Sequence, residues 1–184
     1  MTRTFICVPV PDGVKRQVAA FQHRLKECRS NIKWVDPGNL HITIKFLGDV
    51  ENHRIADIAA ATAEAVSGID PFSVELCGAG AFPNLGRPRV LWVGIGQGAK
   101  RFNTISEAVN RSLEGMGFER DSRKFSGHVT IGRIRTYSNI DCIARLLEQE
   151  DFCAPVFQAA CLYVMKSVLT QRGPVYSPLN TIKL

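Results

Sequence analysis

Residues 39–50 read NLHITIKFLGDV, an apolar run in which His41, Thr43 and Lys45 occupy alternate positions. In a β-strand, residues i and i+2 point to the same side. Ile42 and Ile44 therefore share one face, while the imidazole of His41 and the hydroxyl of Thr43 share the other. Burying a strand does not require polar groups at those places. The pattern returns at 128–134 as HVTIGRI, where His128 and Thr130 alternate with Val129 and Ile131. The chain has four histidines and nine threonines, and random placement gives two His-x-Thr triplets in roughly one such chain in a hundred. A single strand histidine reads as a hydrogen-bonded structural residue. Two matching ones, each rooted by an isoleucine, read as halves of one site.

Two imidazoles with hydroxyls beside them suit displacement at phosphorus. In-line attack on a phosphodiester needs a base for the entering water and an acid for the departing oxygen. A histidine titrates near neutrality, so one neutral and one charged imidazole can coexist there. Thr43 and Thr130 can donate to the non-bridging oxygens, where charge builds in the transition state. Arg133, three residues beyond Thr130, adds a fixed cation for the same oxygens. Lys45 extends the polar face of the first strand and reads either as a phosphate or ribose contact or as an exposed lysine. The chemistry calls for no metal and no cofactor. His23 and His53 stand in helical stretches and form no metal-ligand spacing with any neighbour.

Working outward, residues 3–10 read as a strand ended by proline, followed by a helix with Val14, Val18, Phe21 and Leu25 on one face. IKWV and LHITIKFLG are strands separated by the turn residues Asp36, Pro37, Gly38 and Asn39. Ile55, Ile58, Thr62 and Val66 mark a second helix. FSVELCGAGAF and RVLWVGIG read as strands, the first with an irregular, glycine-bearing end. A third helix carries Phe102, Ile105, Val109, Leu113 and Met116 and stops at Gly115–Gly117. After FSGHVTIGRI, a short helix is marked by Ile140, Ile143 and Leu147. Two strands, about 155–169 and 174–183, close the chain around the turn QRGP. Elements mix without the alternation of a doubly wound sheet, and each half holds a strand–helix–strand unit with one His-x-Thr strand. A duplicated α+β architecture follows. Gly94, Gly96 and Gly98 lack the G-x-G-x-x-G spacing of a dinucleotide turn and read as a ligand-free connection. Trp34 and Trp92 could stack on bases, but their apolar neighbours favour core packing.

At 184 residues the chain can bury roughly 70% of its unfolded surface and needs no cross-link to fold. The six cysteines (Cys7, Cys28, Cys77, Cys142, Cys153 and Cys161) show no CxxC pair, so reduced, buried thiols in a cytoplasmic protein are expected. No apolar run approaches a membrane span. The net charge of +6 is uneven: Arg120, Arg123, Lys124, Arg133 and Arg135 face one acid, Asp121, between positions 120 and 135. Such a cluster around the second histidine suits an anionic ligand such as phosphate or nucleic acid. No heptad or broad apolar stripe points to self-association, and a monomer is expected.

At these motifs the sequence resembles the two-histidine phosphoesterases, and among them the RNA 2′,3′-cyclic phosphodiesterases, also called the 2′-5′ RNA ligase family. The likeness runs through RTFICVPVP, WVDPGNLHITIKFLGDV, AFPNLGRPRVLWVGI, FSGHVTIGRIR and KSVLTQRGPVYSPL. It implies one bilobal α+β domain over residues 1–184, with two pseudo-symmetric antiparallel sheets facing a central cleft and helices outside. It implies His41 and His128 as catalytic, with Thr43, Thr130 and Arg133 on the phosphate. The implied reaction is hydrolysis of a 2′,3′-cyclic phosphate at an RNA end to a 2′-phosphate. His128 then acts as base and His41 as acid, though the symmetry of the motifs fits either order. A minor, reversible 2′-5′ ligation is also implied. The alternatives are a phosphodiesterase for 2′-5′-linked oligonucleotides or small cyclic nucleotides, and a nucleotide- or RNA-binding module without turnover. One departure is Gly127, where the family often has proline before the second histidine.

Overall fold

Apolar surface on both sides of a strand demands cover on both sides, and the first strand sets the layout. β1 (Thr2–Pro9) is buried from Thr4 to Val8, as befits a strand with neighbours on both edges. In the computed structural model, which describes residues 1–171 and 173–184, it lies between β3 (His41–Val50) and β9 (Cys161–Thr170). β10 (Gly173–Lys183) pairs with β9 at the outer edge. The expected turn around QRGP includes Arg172, which lies outside the described residues.

The second half is built around β7 (His128–Ile134), which pairs antiparallel with β6 (Val90–Ile95) on one edge. β5 (Leu76–Phe82) pairs with β6 in turn, and β2 (Ile32–Trp34) adds to the other edge of β7. Each half thus holds four antiparallel strands, β10-β9-β1-β3 and β5-β6-β7-β2. They meet at one antiparallel residue pair, Ile42 with Val129, which makes the two sheets continuous. β4 (Phe72–Val74) and β8 (Phe157–Ala159) form a separate two-stranded sheet. The sequence reads FSVELCGAGAF as one strand. Its two parts pair in different sheets because Glu75 between them bonds through its backbone to Gln97 and Gly96.

The helices obey their apolar periodicity. Val14, Val18, Phe21 and Leu25 of α1 (Asp12–Lys26) are buried, as are Phe102, Ile105, Val109 and Leu113 of α3 (Ala99–Glu114). α2 (Ile55–Ala65) packs against α3 and β10, and α3 packs on β3. α1 follows β1 in the chain yet attaches to the other half. The buried side chain of Gln22 donates to the carbonyls of Val35 at 2.9 Å and Ile131 at 2.8 Å. The two halves are therefore crossed by their own helices, and the apolar residues form one core.

Four of the six cysteines depart from the expectation of reduced thiols. Cys28, just past α1, is bonded to Cys142 in α4 (Ile140–Gln149), and Cys77 of β5 is bonded to Cys153. The partners are 114 and 76 residues apart, so no local spacing could announce them. Both bridges fasten the segment after β7 back onto the second half. Cys7 and Cys161 stay free, and burial, with Cys161 nearby, pushes the Cys7 thiol up to about 12.

The G-x-G-x-G connection has a packing cause. Gly98 sits at φ +90°, and a Cβ there would lie 2.8 Å from the carbonyl of Ser73, too close for any side chain. The glycines let the end of β6 lie against β4 and β5.

Two outcomes test this architecture. Alkylation of the unfolded protein without reductant should modify two cysteines, Cys7 and Cys161, and with reductant all six; peptide mapping that finds six free thiols would remove both bridges. Gln22→Leu should lower stability by about 1–3 kcal/mol, because the carbonyls of Val35 and buried Ile131 lose its side-chain donor. That loss should appear as a lower urea midpoint at unchanged slope.

Candidate active site

The seam between the two halves brings the motifs together. Ile42 and Val129 are both fully buried, so the residues flanking them point to the opposite face of the sheet. Antiparallel pairing there sets position 41 across from 130, and position 43 across from 128. Each histidine therefore has the other strand's threonine as its cross-strand neighbour. Two cleft arms open on this face. One, of about 680 Å³, is lined by His41, Thr43, Thr130 and Arg133, with Trp34 and Tyr176. The other, of about 900 Å³, is lined by His128 and again by Thr43. Thr43 and Phe46 border both arms.

The two imidazoles are held in the same way. Nδ1 of His41 bonds the carbonyl of Asn39 at 2.7 Å, and Nδ1 of His128 bonds the carbonyl of Ser126 at 2.7 Å. A carbonyl only accepts, so Nδ1 carries the proton in both rings and donates it. Each Nε2 is left to take a proton when neutral or give one when charged. Aromatic neighbours fix the ring planes. His41 lies 4.8 Å from the ring of Phe5 and 5.2 Å, edge to face, from Tyr176. His128 meets Phe82 edge to face at 4.9 Å.

Both imidazoles are pulled below their ordinary pKa. For His41, burial is the main cause; the Asn39 carbonyl opposes it, and the charges of His128 and Lys15 reinforce it. For His128, burial again leads, the Ser126 carbonyl opposes it, and Arg133 reinforces it. An arriving phosphate anion reverses this balance, because negative charge favours the protonated form.

Of the residues singled out in the sequence, His41, His128, Thr43, Thr130 and Arg133 come together around this face. Lys45 is not the exposed lysine of one alternative, and although it borders the second arm its ammonium is already engaged. The β1–β3 register shifts between Ile6 and Cys7, and this bulge turns Lys45 out of the alternation into a buried position, 2% exposed. Its ammonium donates to Asn110 Oδ1 at 2.6 Å and to the Glu119 carbonyl at 2.7 Å. It braces α3 and the loop before β7 against β3. Trp34 is half-buried at the rim of the first arm, whereas Trp92 packs over Gly80, where a Cβ would lie 2.5 Å from its ring. At Gly127 a Cβ would lie 2.6 Å from Ile95 Cδ1, so Ile95 occupies the room a side chain would need.

Tyr176, Phe5 and Asn39 were not singled out as site residues. Asn39 gives its carbonyl to His41, and its side chain donates to the carbonyl of Pro174 at 2.8 Å, tying the first motif to β10. Nothing local marks Tyr176, which reaches His41 only because β10 folds back along the sheet. Among the described residues no three His, Cys, Asp or Glu side chains gather as a metal site.

A family model described as LigT like Phosphoesterase matches residues 8–92. An RNA 2′,3′-cyclic phosphodiesterase of Methanothermobacter thermautotrophicus is 31% identical over 183 residues, covering 99% of this chain and 98% of its own. One of Aeropyrum pernix is 37% identical over 155 residues, covering 83% of this chain and 86% of its own. A crystal structure of a Thermus thermophilus protein superposes with TM-score 0.82 at 24% identity, covering 99% of this chain and 97% of the other. Escherichia coli LigT complexed with 3′-AMP superposes with TM-score 0.78 at 20% identity, covering 100% of this chain and 98% of the other. These folds share the α+β arrangement of antiparallel sheets described above. With such identity over nearly the full length of both chains, this chain belongs to the LigT-like phosphoesterase family.

Proposed function

We propose that this protein hydrolyses 2′,3′-cyclic phosphate ends of RNA to 2′-phosphates, with residues 1–184 acting as one bilobal unit. The observation that carries the reading is the paired tethering of Nδ1 by the carbonyls of Asn39 and Ser126. It leaves two Nε2 atoms with fixed tautomers on one face, which is what acid–base catalysis with two imidazoles needs.

In the reaction, neutral His128 takes a proton from water as the water oxygen bonds to phosphorus. The bond from phosphorus to the 3′ oxygen breaks, and the His41 imidazolium gives its proton to that oxygen. The products are a 2′-phosphomonoester and a 3′-hydroxyl. His128 ends protonated and His41 neutral, and exchange with solvent resets both. Thr43, Thr130 and Arg133 hold the non-bridging oxygens while charge grows on them. The family resemblance supports a minor, reversible 2′-5′ ligation by the same displacement: a 5′-hydroxyl enters in place of water and the 3′ oxygen leaves.

No helix among the described residues is long and apolar enough to cross a membrane. We propose a monomer in the cytoplasm, where RNA ends arise. The two disulfides make thiol labelling of freshly lysed cells the direct test of that location, since cytoplasmic thiols are ordinarily kept reduced.

RNA ending in a 2′,3′-cyclic phosphate, incubated with excess chelator, should give a 2′-phosphate by phosphorus NMR. Binding without product, or a 3′-phosphate, would overturn the reading. His41→Ala and His128→Ala should each lower kcat by about 10²–10⁴-fold with the fold kept by circular dichroism.

The pH profile follows from the lowered imidazoles. In the free enzyme the base stays active to lower pH than an ordinary histidine, and the acid loses its proton earlier as pH rises. The bell of kcat/KM should therefore centre on the acid side of an ordinary imidazole value. Bound phosphate raises both groups, so the bell of kcat should lie at higher pH than that of kcat/KM. A flat profile, or the opposite order, would remove the two-histidine assignment.

A further inference from the structure

The two imidazoles are tethered alike but walled differently, and part of the wall around His41 is delivered from far along the chain. Tyr176 stands edge to face with His41 at 5.2 Å and with Phe5 at 5.0 Å. It comes from the hairpin of β9 and β10, which outruns the sheet that carries it. β9 pairs with β1 from Tyr163 to Lys166, yet its pairing with β10 continues to Thr170 and Gly173. The overhanging end lies along the first cleft arm, where Leu169, Pro174 and Tyr176 join His41 in the lining.

Little holds this end in place. Leu169 is 72% exposed and Val175 55%, so apolar packing contributes little there. Thr170 bonds Gly173 within the hairpin itself. Between Val168 and Val175, among the described residues, the hydrogen bond that arrives from outside the hairpin is the one that Asn39 Nδ2 donates to the Pro174 carbonyl at 2.8 Å. Asn39 is a firm anchor. It closes the short turn Pro37–Asn39, in which the Asp36 side chain accepts from the Gly38 amide and the Asn39 amide donates to the Asp36 carbonyl. Pro174 and Tyr176 are two apart on one strand and share a face of the hairpin, so fixing one places the other.

Asn39 therefore reaches His41 along two routes. Its carbonyl accepts the Nδ1 proton directly, while its side chain reaches the ring through Pro174 and Tyr176. We infer that Asn39 is a positioning residue for the proposed general acid: its side chain latches the β9–β10 overhang across the first arm and so seats Tyr176 against His41. This rests on the reading of His41 as an acid and adds to it the residue that keeps the ring in place. Truncating the side chain spares the carbonyl, so the two routes are separable.

The test follows the pH titration of the imidazoles by NMR, with the His41 signal identified by its loss in His41→Ala. Asn39→Ala should move the His41 midpoint up toward the ordinary histidine value, because burial is the main cause that lowers it. His128 should stay in place. Tyr176→Ala, which leaves the turn untouched, should shift His41 in the same direction, and Tyr176→Phe, which keeps the ring, should not. The charged groups that face His41 are Lys15 on α1, Arg3 on β1, Lys33 on β2, Asp36 in the turn, and His128 and Arg133 on β7. All are the same in these variants, so a shift reports the wall. On uridine 2′,3′-cyclic phosphate, Asn39→Ala should lower kcat by about 2–10-fold, the weight of one intramolecular hydrogen bond. Combined with Tyr176→Ala, it should cost no more than Tyr176→Ala alone, since the side chain acts through that ring. Additive losses in the double variant, or an unmoved His41 titration in Asn39→Ala, would overturn the latch and leave hydrolysis intact. No turnover by the wild-type protein, with the His41 shift present in both alanine variants, would overturn the hydrolase reading and support the latch.

Discussion

One antiparallel contact, Ile42 against Val129, decides the geometry of the candidate site in this molecule. It joins two four-stranded sheets that otherwise have separate partners. Both side chains are fully buried, so the contact is anchored by the apolar core rather than by the polar groups it positions. Because pairing is antiparallel, residues on either side of the contact are exchanged across it. His41 is set beside Thr130, and His128 beside Thr43, so neither half holds a complete acid–base and hydroxyl set by itself. A slip of either strand by one residue would turn that strand's histidine into the core.

The rest of the fold protects that contact. α1 leaves the first half and is bolted to the second through Gln22, which donates to Val35 and Ile131. α3 leaves the second half and is bolted to β3 through Asn110 and the buried ammonium of Lys45. The two helices brace the seam from opposite sides. The second half is further closed by the bridges of Cys28 with Cys142 and Cys77 with Cys153. Bracing of this kind suits the proposed chemistry of two imidazoles.

Symmetry in the two imidazole tethers contrasts with asymmetry in what surrounds them. His41 is walled by Phe5 and Tyr176, while His128 opens toward a basic loop. The same proton chemistry is thus presented to two different environments, one aromatic and one cationic. That difference distinguishes the two sides of a site whose imidazoles are tethered alike.

The His-x-Thr-Ile repeats, the apolar faces of α1 and α3, and the turn at Asp36–Asn39 were legible from the chain, since each rests on periodicities of two or 3.6 residues or on local turn chemistry. The two histidines and two threonines could be named because identical spacing on two strands is itself a local signal. The fate of Lys45 was not legible: a bulge opposite Ile6 and Cys7 overrides strand alternation, and its partners come from α3 and the loop before β7. Nor were the disulfides or Tyr176 legible, because their contacts join residues far apart in sequence. Sequence by itself determined which groups could be named as candidates for the chemistry, as side-chain type and periodicity are properties of the local chain. Tertiary structure alone decided which threonine lies across from which histidine, since that choice is made by strand pairing between segments that share no local bond.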